Sequence, residues 1–318
     1  MATNLANKLL LSAKEHYVPI KELSTEYSKG QEVICLPKEH VSKTTNLTTE
    51  EILALRSQLV IVKIVVDDPN NYIEAADVLV SVNDMSACQE KDKSFRNCGL
   101  VKVLEFAFGS GFHELWYSMP LVKGCSLEEL DGDKVGSQSP VLVCHIITSL
   151  YRAWKYLHTN NLQHGDWHGG NIMLTLDEND QLPKVTLIDY GSVDEYDRQD
   201  APKEAKEFFR NLFVALGIWE EVPSSWRSHL DPSDLQAWEK FYKMFHVLND
   251  KDIILDTPAN LSMEFIWNHF GAMIERIAEQ STFLDNVLPG AVQDKLKKQM
   301  VNDDEIVEAL KHHQEQAL

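Results

Sequence analysis

The feature that most constrains this chain is a pair of polar motifs, each joined to a short apolar run. They are HGDWHGGNIML, from His164 to Leu174, and KVTLIDYGSV, from Lys184 to Val193. Together they offer a carboxylate, Asp166, five residues before a carboxamide, Asn171. A second carboxylate, Asp189, follows an apolar strand. Hard oxygen donors of this kind suit Mg²⁺, which takes one or two carboxylates and keeps several waters. Asn171 and Asp189 can supply such oxygens. Asp166 is left to orient an acceptor hydroxyl and take its proton, the little that phosphoryl transfer asks of side chains beyond positioning and charge.

Around these motifs the pattern divides the chain. Val18 to Leu23, Glu32 to Leu36, Leu59 to Val66, Leu100 to Phe108 and Glu114 to Met119 read as strands, from β-branched enrichment and turn residues at their ends. Thr48 or Thr49 caps a helical turn over Glu50 to Ser57, with Glu51 in its first turn. A helix is expected after Pro69, through YIEAADVLVSV. From about residue 126 the periodicity becomes helical: SLEEL opens one helix, Pro140 starts a longer one, and the pattern after Lys203 is helical almost to the end. Trp219, Trp226, Trp238 and Trp267 are expected to pack that half. At 318 residues the chain fits one large or two intimate domains. The expectation is an α+β protein with a β-rich part over residues 1–120 and a mainly helical part over residues 121–318, joined near Pro120 to Gly124.

The two motifs, in this order and at this separation, resemble the protein-kinase-like superfamily. His164-Gly165-Asp166 to Asn171 is similar to the HxDxxxxN catalytic loop, and Asp189-Tyr190-Gly191 to the DFG metal-binding motif. The approach YLHTNNLQ is similar as well. The resemblance implies a bilobal fold, ATP and Mg²⁺ as cofactors, Asp166 as catalytic base, and Asn171 and Asp189 as metal ligands. Lys63 interrupts the apolar run VIVKIV, where a buried ammonium is costly unless paired. It looks like the kinase lysine that holds the α- and β-phosphates; the other reading is a strand-edge lysine reaching solvent. Its partner is taken as Glu74, with Asp77, Asp84 and Glu90 on the same candidate helix. LWYSMPLVKGCSLEEL resembles the kinase hinge. On that match Met119 lies at the back of the nucleotide pocket, and the main chain around Leu121 bonds the adenine, because Pro120 has no N–H.

The sequence departs from the pattern at three places. The phosphate loop reads LSTEYSKGQEV, with Gly30 as its single glycine. The segment after DYG is short and lacks APE, with Ser192 and Tyr196 as its nearby hydroxyls. His168 replaces the usual lysine, as in aminoglycoside and choline kinases and in haspin-type protein kinases. It either contacts the γ-phosphate or holds the loop. Three readings follow: an atypical Ser/Thr protein kinase, a small-molecule kinase of the aminoglycoside or choline type, and a pseudokinase. The acceptor is a hydroxyl on a protein or a small molecule.

Composition narrows the partners. A net charge of −19 argues against a broad nucleic-acid surface and is compatible with cationic substrates, although it equally describes a solvated surface. Nothing approaches the roughly 20 apolar residues of a membrane span. The N-terminal stretch reads as a short amphipathic helix and not as a secretion signal. Five scattered cysteines form no CxxC pair, which fits a reducing, cytoplasmic compartment.

Overall fold

The computed structural model describes residues 11–23, 31–41, 47–66, 75–91, 93–108, 114–130, 139–178, 180–199, 201–218, 222–228, 230–246, 261–280 and 290–316. The protein is α+β and divides into two compact units. One comprises Met1–Lys93, Val101–Val122 and Gln299–Leu318; the other comprises Ser94–Leu100 and Lys123–Lys298.

The first unit is built on five strands, β1 (Tyr17–Leu23), β2 (Gln31–Pro37), β3 (Val60–Val66), β4 (Glu105–Phe108) and β5 (Glu114–Pro120). They form one antiparallel sheet of order β1-β2-β3-β5-β4. Alternate residues of a strand face opposite sides, and the core obeys that period. Val33, Cys35, Val60, Val62, Ile64 and Trp116 pack on one face with Ala13 of helix α1 (Leu11–His16). Ile34 and Leu36 pack on the other with Leu55 and Leu59. Leu55 belongs to helix α2 (Thr49–Arg56), and Thr48 and Glu51 close a reciprocal capping box at its start. Helix α3 (Ala75–Lys91) buries Ala75, Val78, Val82 and Met85, one stripe at helical spacing, and packs on β3 and β5.

The chain's last stretch returns to this unit, whereas the sequence pattern grouped residues 299–318 with the helical part. Val301, Ile306, Ala309 and Leu310 join the Ile34–Leu59 cluster, which supplies the physical reason. A further difference concerns Leu100 to Phe108. Only Glu105–Phe108 is strand, and Leu100 makes an isolated parallel bridge to Leu187 within the second unit.

The second unit centres on helix α4 (Pro140–Thr159), which starts on an Ser139 side-chain cap and buries residues on most of its circumference. Short strands β6 (Cys125–Ser126), β8 (Ile172–Thr175) and β9 (Lys184–Leu187) form one antiparallel sheet of order β6-β8-β9. Strands β7 (Leu162–Gln163) and β10 (Asp194–Glu195) pair separately. SLEEL is not a helix. Cys125–Ser126 pairs with β8, Leu127 N–H donates to Ile172 O, and buried Leu127 and Leu130 hold the following turns to the core. Helices α5 (Ala201–Ala215), α6 (Pro232–His246), α7 (Met263–Ala278) and α8 (Gly290–Leu296) follow. Phe208, Phe209, Phe241, Trp226 and Trp238 are fully buried among them, and Trp267 stacks on Tyr151; Trp219 lies outside the described residues. Among the described residues no helix is long and apolar enough to cross a membrane, and all five cysteines are free.

Candidate functional site

In the second unit the β8–β9 hairpin does the first part of the positioning. Ile172 pairs with Leu187, and one step further Ile188 N–H donates to Asn171 O at 2.9 Å. Asn171 and Asp189 are thereby carried to the same end of one hairpin. A 3₁₀ turn over Gly169–Asn171 delivers Asn171, which is 6% exposed. Its Nδ2 donates to both the main-chain carbonyl and Oδ2 of Asp166, each at 3.1 Å. Those two bonds fix the amide and set the direction of Oδ1.

Asp189 sits at φ +66°, a left-handed conformation uncommon outside glycine. Its Oδ1 accepts from Gly191 N–H at 3.0 Å, an Asx turn that offsets the backbone cost locally. Non-glycine residues held in this region concentrate at functional sites.

His164, fully buried, fastens the two motifs together through Nε2 and Ile188 O at 3.2 Å. Facing a carbonyl, Nε2 carries the proton, and Nδ1 is a buried atom without a hydrogen-bond partner. Burial holds this imidazole below the usual histidine value, against the upward pull of Asp189 and Asp166. Gly165 lies at φ +75°, and a Cβ there would stand 2.2 Å from Ser192 O. The chain after Asp189 therefore runs directly against this residue. Trp167 O accepts from Asn211 Nδ2 at 2.6 Å, which anchors the loop to α5.

His168 Nε2 lies 3.5 Å from Asp166 Oδ2, and both side chains are more than a third exposed. The hydrogen bond to Asp166 is the main cause that lifts the imidazole above its ordinary value. For Asp166 burial pulls the carboxyl up, but the His168 contact and the charges of His168 and His164 outweigh it, so the group ends below the ordinary carboxylate value. His168 Nδ1 meanwhile accepts from Gly170 N–H at 3.1 Å, which requires a lone pair and hence a neutral ring. The two contacts oppose each other: protonation strengthens the Asp166 contact and ends the Gly170 bond. His168 is thus a brace of the turn that carries Asn171. Glu128, whose carboxylate also favours protonated His168, flanks the same turn; its N–H donates to Gly169 O. Its distance in sequence from the motif hides it from pattern reading.

In the first unit, Lys63 is 2% exposed and lies on the same sheet face as Ile34 and Ile61. Its described partner is Glu32, directly opposite on β2, with Nζ 3.4 Å from Oε1. This is a different carboxylate from Glu74, which lies outside the described residues, as does Gly30. The Lys63–Glu32 pair follows from register, which a single strand's sequence does not contain. Met119 is buried opposite Ile61. Leu121 N–H donates to Leu59 O at 2.9 Å, so that donor is already spent within the unit and any main-chain donor to a ligand comes from a neighbour.

Asn171 Oδ1 and the Asp189 carboxylate are hard donors, one of them rigidly held, and they fit a divalent cation that completes its shell with water and phosphate oxygens. Among the described residues no group of three or more His, Cys, Asp or Glu side chains forms a metal cage.

No family model matches the chain. It is similar to an uncharacterized protein of Acanthamoeba polyphaga mimivirus, at 22% identity over 198 residues, or 58% of this chain. The match spans 25% of the mimivirus protein's length.

Proposed function

We propose that this protein is an ATP- and Mg²⁺-dependent phosphotransferase with an alcohol as acceptor, an atypical Ser/Thr protein kinase in which Asp166 is the catalytic base. The observation that carries this reading is the pair of hydrogen bonds that Asn171 Nδ2 donates to Asp166, beside the hairpin end that bears Asp189. A carboxylate held by a buried amide, next to a second carboxylate on a strained backbone, supports an oriented hydroxyl and a metal-bound phosphate better than a structural role.

In this reading the first unit is the small lobe and the second the large one of a bilobal kinase fold. Mg²⁺ would be held by Asn171 and Asp189, and when bound it supplies neutralisation of phosphate charge. Asp166 accepts a hydrogen bond from the acceptor hydroxyl and takes its proton as the new O–P bond forms and the bond to the leaving diphosphate breaks. Asn171 holds Asp166 in the orientation for that acceptance. His168 keeps the Asp166 carboxylate ionised. Lys63 is the phosphate-binding lysine, with Glu32 in the partner's role.

His168 beside Asp166 favours a second reading, a small-molecule kinase of the aminoglycoside or choline type, whose loop carries histidine at this place.

Purified protein with labelled ATP and Mg²⁺ is expected to label itself or a generic protein substrate, and Asp166→Ala and Asp189→Ala to abolish the label. Turnover confined to a panel of amines, alcohols and lipids selects the second reading. Full phosphotransfer by either variant overturns the assignment of the site.

A further inference from the structure

The second unit also holds an open cavity of about 580 Å³, within the range of small-molecule sites. One wall is a continuous run of rings. Tyr151 and Trp154 of α4 stack with centroids 5.5 Å apart, Trp154 and His158 approach to 3.8 Å, and Tyr196 lies 3.7 Å from His158. Trp267 backs Tyr151 from behind at 3.7 Å and 6°. The wall is therefore preformed, and ring faces carry negative electrostatic potential that attracts cations.

Carboxylates supplement that potential. Glu264, in the first turn of α7, lines the cavity. Burial first, and then Glu264 among other carboxylates, raises the phenols of both Tyr151 and Tyr196. Behind the wall sits Glu204, with a 6% exposed side chain whose Oε2 accepts from Trp154 Nε1 at 3.1 Å and lies 2.9 Å from His158 Nε2. Its Oε1 is buried without a hydrogen-bond partner. A buried carboxylate with one unsatisfied oxygen is costly as a purely structural group. His158 is its ion-pair partner when that ring is protonated, so Glu204 fixes the rings of Trp154 and His158 from behind. Lys155 and Arg198 line the cavity as well and oppose this field; they are exposed, as Glu264 is, so solvent screens all three. The net charge of −19 further enriches cations near the whole surface.

We propose that this cavity binds an organic cation, a guanidinium or ammonium group seated against the partly exposed rings of Tyr151 and Tyr196, which Trp154 and His158 support, and neutralised by Glu264. The group belongs either to a free small molecule or to an arginine side chain of a peptide. Nothing in the proposed phosphotransfer uses these residues, so the site is an addition to that reading.

Isothermal titration calorimetry on the full chain tests it with three probes: N-acetylarginine amide, its uncharged analogue N-acetylcitrulline amide, and a blocked Gly-Gly-Arg-Gly-Gly peptide. Arginine amide is expected to bind on the order of tenfold tighter than the citrulline amide, the discrimination that a cation gains over an isostere on aromatic faces. A peptide that binds on the order of tenfold tighter again identifies a protein segment as the source; equal affinity identifies a small molecule. Glu264→Gln, an exposed change in a helix first turn, should weaken arginine amide severalfold, and Tyr196→Leu should do the same. Arg198→Ala should strengthen it, whereas an anion site would respond in the opposite sense. Equal binding of the citrulline amide, preferential binding of inorganic phosphate, an unaltered Glu264→Gln variant with the wild-type melting temperature, or no heat with any probe at millimolar concentration overturns the proposal.

Discussion

Asn171 Nδ2 donates to two oxygens of one residue, the carbonyl and Oδ2 of Asp166. The buried amide has no comparable freedom to turn, so the carboxylate of Asp166 is fixed by it. Asn171→Ala removes both bonds and the amide oxygen proposed for the metal. Phosphotransfer should fall by about 10²–10⁴, as for loss of a positioned acid–base function. The fold should lose only about 1–2 kcal/mol, since the freed Asp166 carboxylate is partly exposed. Turnover at saturating ATP, set beside a denaturant titration, separates the two effects. A loss of activity matched by global unfolding would remove the positioning role.

Gly165 lies where the first motif packs against the main chain of the second. At φ +75°, with a Cβ position 2.2 Å from Ser192 O, it tolerates no side chain without backbone movement. Gly165→Ala should cost more than about 2 kcal/mol, from left-handed strain together with the displaced carbonyl. The measurement is the shift of the unfolding midpoint. A midpoint within error of wild type would mean that the 189–193 segment yields freely.

The Asp166–Asn171 contact was within reach of the sequence because it is local: five residues and one tight turn close it. The hairpin that brings Asp189 alongside was legible for a similar reason, since two apolar strands flank a short polar loop. The contact of Lys63 with Glu32 was not. Glu32 opposes Lys63 only through the register of β2 and β3, set by a connection whose length carries no pairing information. The main-chain donor of Leu121 was hidden likewise, because its bond to Leu59 O depends on where β3 starts. SLEEL has helical composition, but pairing with β8 and burial of Leu127 override a weak local preference. Gly30 and Glu74 fall outside the described residues.

The histidines predict a pH response with a definite sign. His164 and His145 are held below their ordinary value, His145 by burial first, against its bond to Pro183 O. Such groups are neutral in the fold while the unfolded chain already takes up protons below about pH 6.5. Stability is therefore fully present above that pH and is lost as pH falls toward the folded-state values. His168 is raised and acts oppositely: its contribution is fully present below about pH 6.5 and is lost as pH rises through the folded value. Because His168 is well exposed and the other two are not, the net slope below neutrality should be downward with acid. Denaturant midpoints from pH 7.5 to 5 check this, and His145→Gln should flatten the slope. Imidazole proton shifts should report His168 titrating above His164, in an order that Asp166→Asn reduces.

The last helix of the chain, α9 (Asp303–Gln316), offers a direct comparison of packing with charge. Ile306 is fully buried in the cluster with Ile34, Leu55 and Leu59, and it belongs to a segment far from them in sequence. Two ion pairs accompany that packing, Arg56 with Asp303 and Lys21 with Glu305, the latter at 3.1 Å. Lys21 and Glu305 are 41% and 29% exposed, so solvent screens their attraction, and Lys21→Met should cost no more than about 1 kcal/mol. Ile306→Ala removes buried methyl groups from a close-packed site and should cost about 2–5 kcal/mol. Raising the salt concentration should change the first variant's difference from wild type and leave the second's intact, because Debye screening reaches the exposed pair and not the cluster. Paired denaturant titrations at low and high salt measure both. If Ile306→Ala proved the milder substitution, the closing segment would be held to the first unit by its charges, and burial of its apolar stripe would be incidental.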